Sequence, residues 1–450
     1  MVNKIRTNGF VKIHSFVNDK QREITSLSAI YDDKKLLLEK ISLLIQDEIN
    51  VETCGDKKIF IKPNWVKHSS VDSDEICLRT HDSVTLALVE YVCSCRPKSV
   101  VIGDAPIQGC KWDKMISETF LKKLEIISAK SQVPVSVKDL RRKVMNLADE
   151  DMVNVRQGMD DFVIVDVGRQ SYLEEITSED KNQFRVTHYN PDRFIESHKP
   201  GVHKYCITKE LFDADIVISV PKIKTHEKSG ITNALKNIVG LNGDKDFLPH
   251  HRIGGTRAGG DAYPGYNLLR HWSEKSYDQA NRNLGNRSYW IWIRIASLLW
   301  KMSFPGKEAR FGAGWYGNDT TWRMVMDLNL VATYATRDGK LSDEPQRLLY
   351  SLCDGIIGGQ KDGPLTPEPL PLGVLMFTND SSWCDITAAV LMKMEIGRLP
   401  LLQAAEAFSS ERKIRFYLNN KEINLSEIKP MSIDTKMPSG WVDYKNQIQH

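Results

Sequence analysis

The chain has 450 residues, 41% of them hydrophobic, with 61 basic against 58 acidic side chains and a net charge of +3. That length suffices for two or three domains with a sizeable core, and the balanced charge excludes a global field that would recruit nucleic acid or acidic membrane, so any anion binding is local. The N-terminal stretch MVNKIRTNGFVKIHSF lacks the apolar core of a signal peptide, and no run reaches the roughly 18 apolar residues of a spanning helix, so no transmembrane segment and a cytoplasmic location are expected.

In chain order, residues 58–66 (KIFIKPNWV) read as a strand broken by Pro63, residues 84–95 as a helix and residues 99–103 (SVVIG) as the next strand. Residues 135–137 and 162–167 are further short strands. Residues 216–220 (IVISV) form an apolar run of the kind that is covered on both faces in a parallel sheet. Strand and helix signals that alternate in this way predict an α/β fold.

Between Gly254 and Gly317 the character changes to a segment punctuated by glycines and holding Trp272, Trp290, Trp292, Trp300 and Trp315. It reads as a helical insertion folded over the strand ends as a lid, since glycines permit tight turns and tryptophans exclude water from a polar cleft. Within it, residues 289–302 (YWIWIRIASLLWKM) suit a membrane-surface helix, a helix covering the core, or a dimerisation arm that would make a homo-oligomer. The last two are preferred, because interfacial helices usually carry more positive charge on the polar face.

After Thr321 the α/β pattern returns, with a helix at 324–333, a helix or strand at 347–359, a buried strand at 373–378 and a helix at 384–394. A hairpin is expected around Asn419 and Asn420. The expected architecture is two Rossmann-like halves with largely parallel sheets plus the glycine- and tryptophan-rich helical insertion. Its boundaries are 1–253 for the N-terminal α/β domain, 254–320 for the insertion, 321–410 for the C-terminal α/β portion and 411–450 for a hairpin and tail.

Three strand ends carry dense polar groups: Lys62 and Asn64 after IFI, Asp104 after SVVIG, and Lys222, Lys224, Thr225, His226, Thr232, Asn233, Lys236 and Asn237 after IVISV. Ligands sit at such strand ends in open α/β sheets, and helical spacing can turn several of these groups toward one crevice. The lysines supply point charges for a carboxylate or phosphate, and the asparagines and threonines orient its oxygens. A helix N-terminus near Gly230 would add backbone amides. The glycines match neither GxGxxG nor GxxxxGK[ST], which leaves ATP and NAD without a motif.

His226 is the first candidate for general acid or base, because imidazole changes charge near neutral pH and neighbouring lysines lower its pKa. Lys224 or Lys236 is the alternative base, with Asp104 to orient either. His250, His251 and Asp261 stand at the entrance of the insertion and are expected to approach the Lys224 and Lys236 pocket. Asp354, Asp362 and Asp385 are candidate ligands for a divalent metal, although their spacing is not diagnostic. The eight cysteines (Cys54, Cys77, Cys93, Cys95, Cys110, Cys206, Cys353 and Cys384) lack both the paired spacing of a zinc ribbon and the run of a ferredoxin, so reduced thiols and no iron–sulfur cluster are expected.

Seven separated motifs share an order with a known family. They are Lys62-Pro63-Asn64, Gly103-Asp104-Ala105-Pro106, the 220–226 stretch VPKIKTH, the 235–240 stretch LKNIVG, Asp354-Gly355-Ile356, Asp362-Gly363-Pro364 and residues 380–394. In these the chain resembles the domain of unknown function 362 from Lys62 to about Met394. The resemblance implies a fold type and a shared site without a settled reaction. Members often carry an attached iron–sulfur segment, from which this chain departs. Leu248-Pro249-His250-His251 and Gly259-Gly260-Asp261 look like features of a long-insertion subgroup. The function expected is that of an enzyme moving a proton or group on a small anionic substrate, carboxylate, phosphate or sugar-derived. The alternative is a non-catalytic module that binds an anionic metabolite or partner protein.

Overall fold

The computed structural model describes residues 8–17, 22–69, 76–145, 153–179, 182–187, 189–303, 312–442 and 444. Its centre is a mixed sheet of 12 strands. Numbered along the chain, these are β1 (Asn8–Ser15), β2 (Lys58–Pro63), β3 (Ser99–Asp104), β4 (Val135–Asp139), β5 (Ile216–Val220), β6 (Lys222–His226), β7 (Gly230–Thr232), β8 (Leu348–Asp362), β9 (Thr366–Leu370), β10 (Val374–Thr378), β11 (Lys413–Leu418) and β12 (Lys421–Ile423). The order is β12-β11-β1-β10-β8-β5-β2-β3-β4, with β6 joined to β7 and β8, and β9 to β8. The run β8-β5-β2-β3-β4 is parallel throughout. The α/β class therefore holds, and strands from both expected halves are joined in one sheet, because β5 pairs with β2 on one side and β8 on the other.

Both faces are covered, which explains the unbroken apolar runs. Ile59, Ile61, Val100, Ile102, Ile216, Ile218 and Val220 bury against α1 (Ile24–Asp32), α2 (Lys34–Ile45), α3 (Asp82–Ser94) and α4 (Glu118–Ser131). Phe60 and Val217, one residue out of phase, face the opposite core. In the insertion, α5 (Leu268–Arg282) and α6 (Arg287–Met302) form a helical pair. The second core is closed by α7 (Thr321–Tyr334), α8 (Ser381–Leu391) and α9 (Pro400–Phe408). Among the described residues no helix is long and apolar enough to cross a membrane.

Two expectations change, and one left open between helix and strand is decided as strand. Residues 162–167 form a strand, but it pairs antiparallel with Val202–Thr208 in a separate sheet. Residues 347–359 are strand, within the 15 residues of β8. The segment after β5 is a hairpin of β6 and β7, in which β-branched Ile223, Thr225, Ile231 and Thr232 favour extended backbone, and helix is confined to one α turn at Ala234–Asn237 and the 3-10 turn Ile238–Leu241 that continues it. Gly230 opens β7 at φ 85 with no helix behind it, and a Cβ there would lie 2.8 Å from Leu399 Cδ2. The expected C-terminal hairpin is present, with Asn419 and Asn420 both at positive φ in its turn. Gly306, one of the glycines between Gly254 and Gly317, lies outside the described residues.

Where β6 meets β8, Lys222 donates to Asp354 Oδ2 at 2.8 Å and to the Tyr31 hydroxyl at 3.0 Å, with all of these groups buried. Tyr31 donates to Asp354 Oδ1 at 2.7 Å, and the His81 amide donates to Oδ2 at 3.0 Å. The pair thus fastens α1 and the start of α3 to the sheet. Removing one partner leaves the other charge buried and alone, so Asp354→Asn is expected to cost about 3–5 kcal/mol in urea unfolding. Adding Lys222→Met to that variant is expected to recover most of the loss. A double variant no more stable than Asp354→Asn would show that Lys222 does not depend on the pair.

Candidate functional site

At the adjoining ends of β2, β3 and β5, Lys62 bridges to Asp104 Oδ1 at 2.8 Å. Burial lowers the Lys62 pKa, and Asp104 opposes that shift. Asp104 is held in turn by the amides of Ala105, at 2.9 Å to Oδ1, and Trp65, at 2.7 Å to Oδ2. Asn237 closes the frame. Its amide nitrogen donates to the Lys62 carbonyl at 3.1 Å and to Ser219 Oγ at 2.8 Å, while its oxygen accepts from Lys62 Nζ at 3.0 Å and Asn64 Nδ2 at 3.2 Å. The backbone passes close by at Gly240, where a Cβ would sit 2.0 Å from Asp104 Oδ1 and 2.7 Å from Lys62 Nζ. Only glycine fits.

Around this frame gather lysines whose charge is not matched. Burial lowers the Lys236 pKa to about 7, helped by Lys245, Lys228 and Lys62 and opposed by Asp104. Burial likewise lowers Lys245 to about 8, where Asp104 pulls upward and Lys62 downward. Lys228 is lowered by burial against Glu227 and Asp261. All three are only partly exposed. Among the described residues none of them forms an ion pair, and the only hydrogen bond from any of their ammonium groups is a long one, 3.4 Å from Lys245 to the Ala105 carbonyl.

Two histidines face the same charges. His226 is held far below its ordinary pKa by burial, then by Lys236, Lys228, His250 and Lys224. Its Nδ1 accepts from the amides of Lys228 at 3.1 Å and Ser229 at 3.2 Å, which places its hydrogen on Nε2. His250 is depressed by burial, then by Lys228 and Lys236. Its Nδ1 lies 2.8 Å from the Leu248 carbonyl, so the hydrogen is on Nδ1 and Nε2 carries the lone pair. One imidazole therefore offers a donor and its neighbour an acceptor.

The remaining residues divide. Lys224 donates to the Leu78 carbonyl and, at 3.3 Å, to that of Pro364, and burial lowers its pKa to about 7. Thr225 is tied to the Lys361 carbonyl at 2.8 Å. Lys222 is committed to Asp354 on the α1 side of the sheet. Thr232 Oγ1 and Asn233 Oδ1 are buried without a hydrogen-bond partner, and Asn233 Nδ2 reaches the Cys384 carbonyl at 3.5 Å. His251, adjacent to His250, belongs to another compartment, a small cavity lined by Arg185, Thr187, Glu274, Asn281 and Trp300. His251 pairs along a strand with Arg185, and its pKa is held far below the ordinary value by burial, then by Lys228 and Arg185, so Lys228 acts on His251 as well as on His250. The insertion does reach the cleft. Its Asn318 Nδ2 donates to the His250 carbonyl at 2.9 Å, joined there by Thr321 Oγ1 of α7 at 2.7 Å, and Gly314 packs against Glu227 closely enough that a Cβ would lie 2.6 Å from Oε2.

The three aspartates expected to ligate a divalent metal are not brought together. Asp354 is bound by Lys222, Tyr31 and the His81 amide, Asp362 accepts from the Ser439 amide at 2.8 Å, and Asp385 is a buried acid beside the Leu235 amide in the opposite core. Burial raises the Asp385 pKa far above the carboxylate range. Among the described residues no group of three or more His, Cys, Asp or Glu side chains is arranged to hold a metal.

Sequence reasoning did not single out Lys228 and Lys245. The first follows His226 in a turn that the helical reading of this segment concealed, and the second stands in a GDK loop with no periodicity to weigh. The signal available was their place within ten residues of the Lys236 motif.

The profile of the domain of unknown function DUF362 matches residues 164–390, just over half of the chain. The chain belongs to this family. The Lys62 and Asp104 segments, which complete the frame in DUF362 terms, precede the matched region. No curated protein matches. Among solved structures, the chain is similar to a structural-genomics target from Thermotoga maritima, with 10% identity and a TM-score of 0.36 over 84% of this chain and 59% of that one.

The charge state can be read from stability. Lys236 and Lys245 have folded-state pKa values below the ordinary 10.5, so from about pH 7 to 10.5 the unfolded chain binds more protons than the folded one. Their cost is full below pH 7 and fades as pH rises through that window. Lys236→Met is therefore expected to stabilise the protein most at or below pH 7, with the gain shrinking toward pH 10 in paired urea titrations. A gain that stays constant with pH would contradict this.

Proposed function

We propose that this DUF362 protein is an enzyme that moves a proton or a small group on an anionic substrate, a carboxylate, phosphate or sugar-derived acid, bound over Lys228, Lys236 and Lys245. The observation that carries the reading is that these lysines, free of ion pairs among the described residues, surround two histidines held neutral in complementary hydrogen placements. An anion entering the cleft supplies the missing countercharge and forms charge-assisted hydrogen bonds. Lys236, near pH 7, is close to the balance a general base needs. His250 Nε2 is the second proton acceptor, and His226 Nε2–H is a neutral donor to a developing negative charge. Asp104 and Lys62 act through position, because every oxygen of Asp104 is already engaged. The eight thiols, none in a disulfide, suit the reducing cytoplasm as the compartment.

A second reading, a non-catalytic anion-binding module, is favoured by Lys224 and Asp104, two of the expected catalytic groups, being consumed by structural bonds. Calorimetric titration with phosphate and with a set of small hydroxycarboxylates tests the shared part. Affinity is expected to rise as pH falls from about 9 to 7, because Lys236 and Lys245 gain protons in that range. Lys236→Met is expected to lose tenfold or more, roughly one charge-assisted hydrogen bond. Binding that Lys236→Met leaves unchanged would remove the site. His250→Asn then separates the two readings, since retained affinity with lost turnover marks the enzyme.

A further inference from the structure

α6 exposes a contiguous apolar face. Trp290, Ile291, Ile295, Leu298 and Met302 are 37–59% exposed, and their spacing places four of them along one seam of the helix. Within α6 only Tyr289 and Ala296 are fully buried, so the expected role of covering the core falls to a narrow stripe packed on α5, where Ser273 Oγ donates to the Ala296 carbonyl at 2.7 Å. An exposed apolar stripe of this kind marks an interaction surface.

The membrane surface is the least preferred of the three roles expected for this helix from the sequence, for want of positive charge, and the placement of the charges in the fold reverses that order. The helix RSYWIWIRIASLLWKM contains Arg287, Arg294 and Lys301, all exposed, and no acidic residue. On α5 the acidic groups turn inward. Glu274 is buried and accepts from the Gly254 amide at 3.0 Å, and Asp278 is buried against Arg185 at 2.9 Å. A second copy docking helix to helix would bring like charges together, with no carboxylate on either α6 to offset them. An anionic lipid surface offers the opposite charge to the arginines and lysine and an apolar boundary to the seam. Sixteen residues make a helix of about 24 Å, shorter than a spanning helix needs, and the single apolar stripe suits a helix lying in the plane of the interface. Exposed Trp290 and, on α5, Trp272 are the residue type that settles at the headgroup level.

We propose that α6 docks this protein onto anionic lipid surfaces, its seam of Ile291, Ile295, Leu298 and Met302 entering the acyl boundary. The proposal is independent of the chemistry in the lysine cleft. The test is co-sedimentation of the full chain with vesicles of phosphatidylcholine, with and without phosphatidylserine. The wild type is expected to bind the phosphatidylserine vesicles, to bind pure phosphatidylcholine much less, and to release in high salt. Ile291→Asp with Leu298→Asp is expected to weaken partition about tenfold or more, since two apolar side chains leave the boundary. Arg294→Glu with Lys301→Glu, a second variant that leaves the apolar seam intact, is expected to abolish the preference for phosphatidylserine. Failure of the wild type to bind either vesicle would overturn the proposal, as would a concentration-dependent dimer, in light scattering, that the Asp variant dissolves while vesicle binding stays unaffected.

Discussion

The bond between Lys62 and Asp104 is what the cleft is built around. Two opposite charges taken out of water are costly unless each has further partners, and here all three ammonium protons and both carboxylate oxygens are engaged, through the pair itself and through Asn237, Pro63, Ala105 and Trp65. Meeting that demand fixes the ends of β2, β3 and β5 relative to one another. It also forces the chain after Asn237 to pass at Gly240 with no side chain in the way. Lys236 directly precedes Asn237, so its placement follows from the frame.

That frame is electrically neutral, and the contrast with its surroundings gives the site its character. Lys62 and Lys222 each own a carboxylate, and they behave as fasteners. Lys228, Lys236 and Lys245 own none among the described residues, and each lowers the pKa of at least one neighbour. Carrying positive charge that is partly buried and without an ion pair destabilises the fold. A chain gains from that arrangement when a ligand completes the charge, which is why functional sites concentrate such perturbed groups. The insertion packs on Glu227 through Gly314 and holds the His250 carbonyl through Asn318, while its outer helix presents an apolar and cationic face.

Much of the fold was legible because its signals are local. IVISV is a strand covered on both faces, KIFI pairs beside it and SVVIG beside KIFI, and Asn419-Asn420 makes the turn its type demands. The Lys222 to Asn237 segment was misjudged because polar residues spaced by three or four fit a helix as well as a hairpin, and the tertiary pairing of β6 with β8 decided the matter. The same limit applies to roles. Composition marks Lys222 and Lys236 alike as cations after a strand, and only the position of Asp354, more than a hundred residues away, makes one structural and leaves the other free. The aspartates considered for metal are separated by the sheet itself, which no spacing in the sequence records.

The central claim is that Lys236 is an ammonium group near neutrality that awaits an anion. Reductive methylation of the lysines with labelled formaldehyde, with Lys236→Arg to assign the resonance, allows its titration to be followed by nuclear magnetic resonance. The account predicts a midpoint near pH 7 that moves upward when phosphate is added, because an anion favours the charged form. A Lys236 that titrates near the ordinary 10.5, or whose midpoint ignores every anion offered, would contradict it.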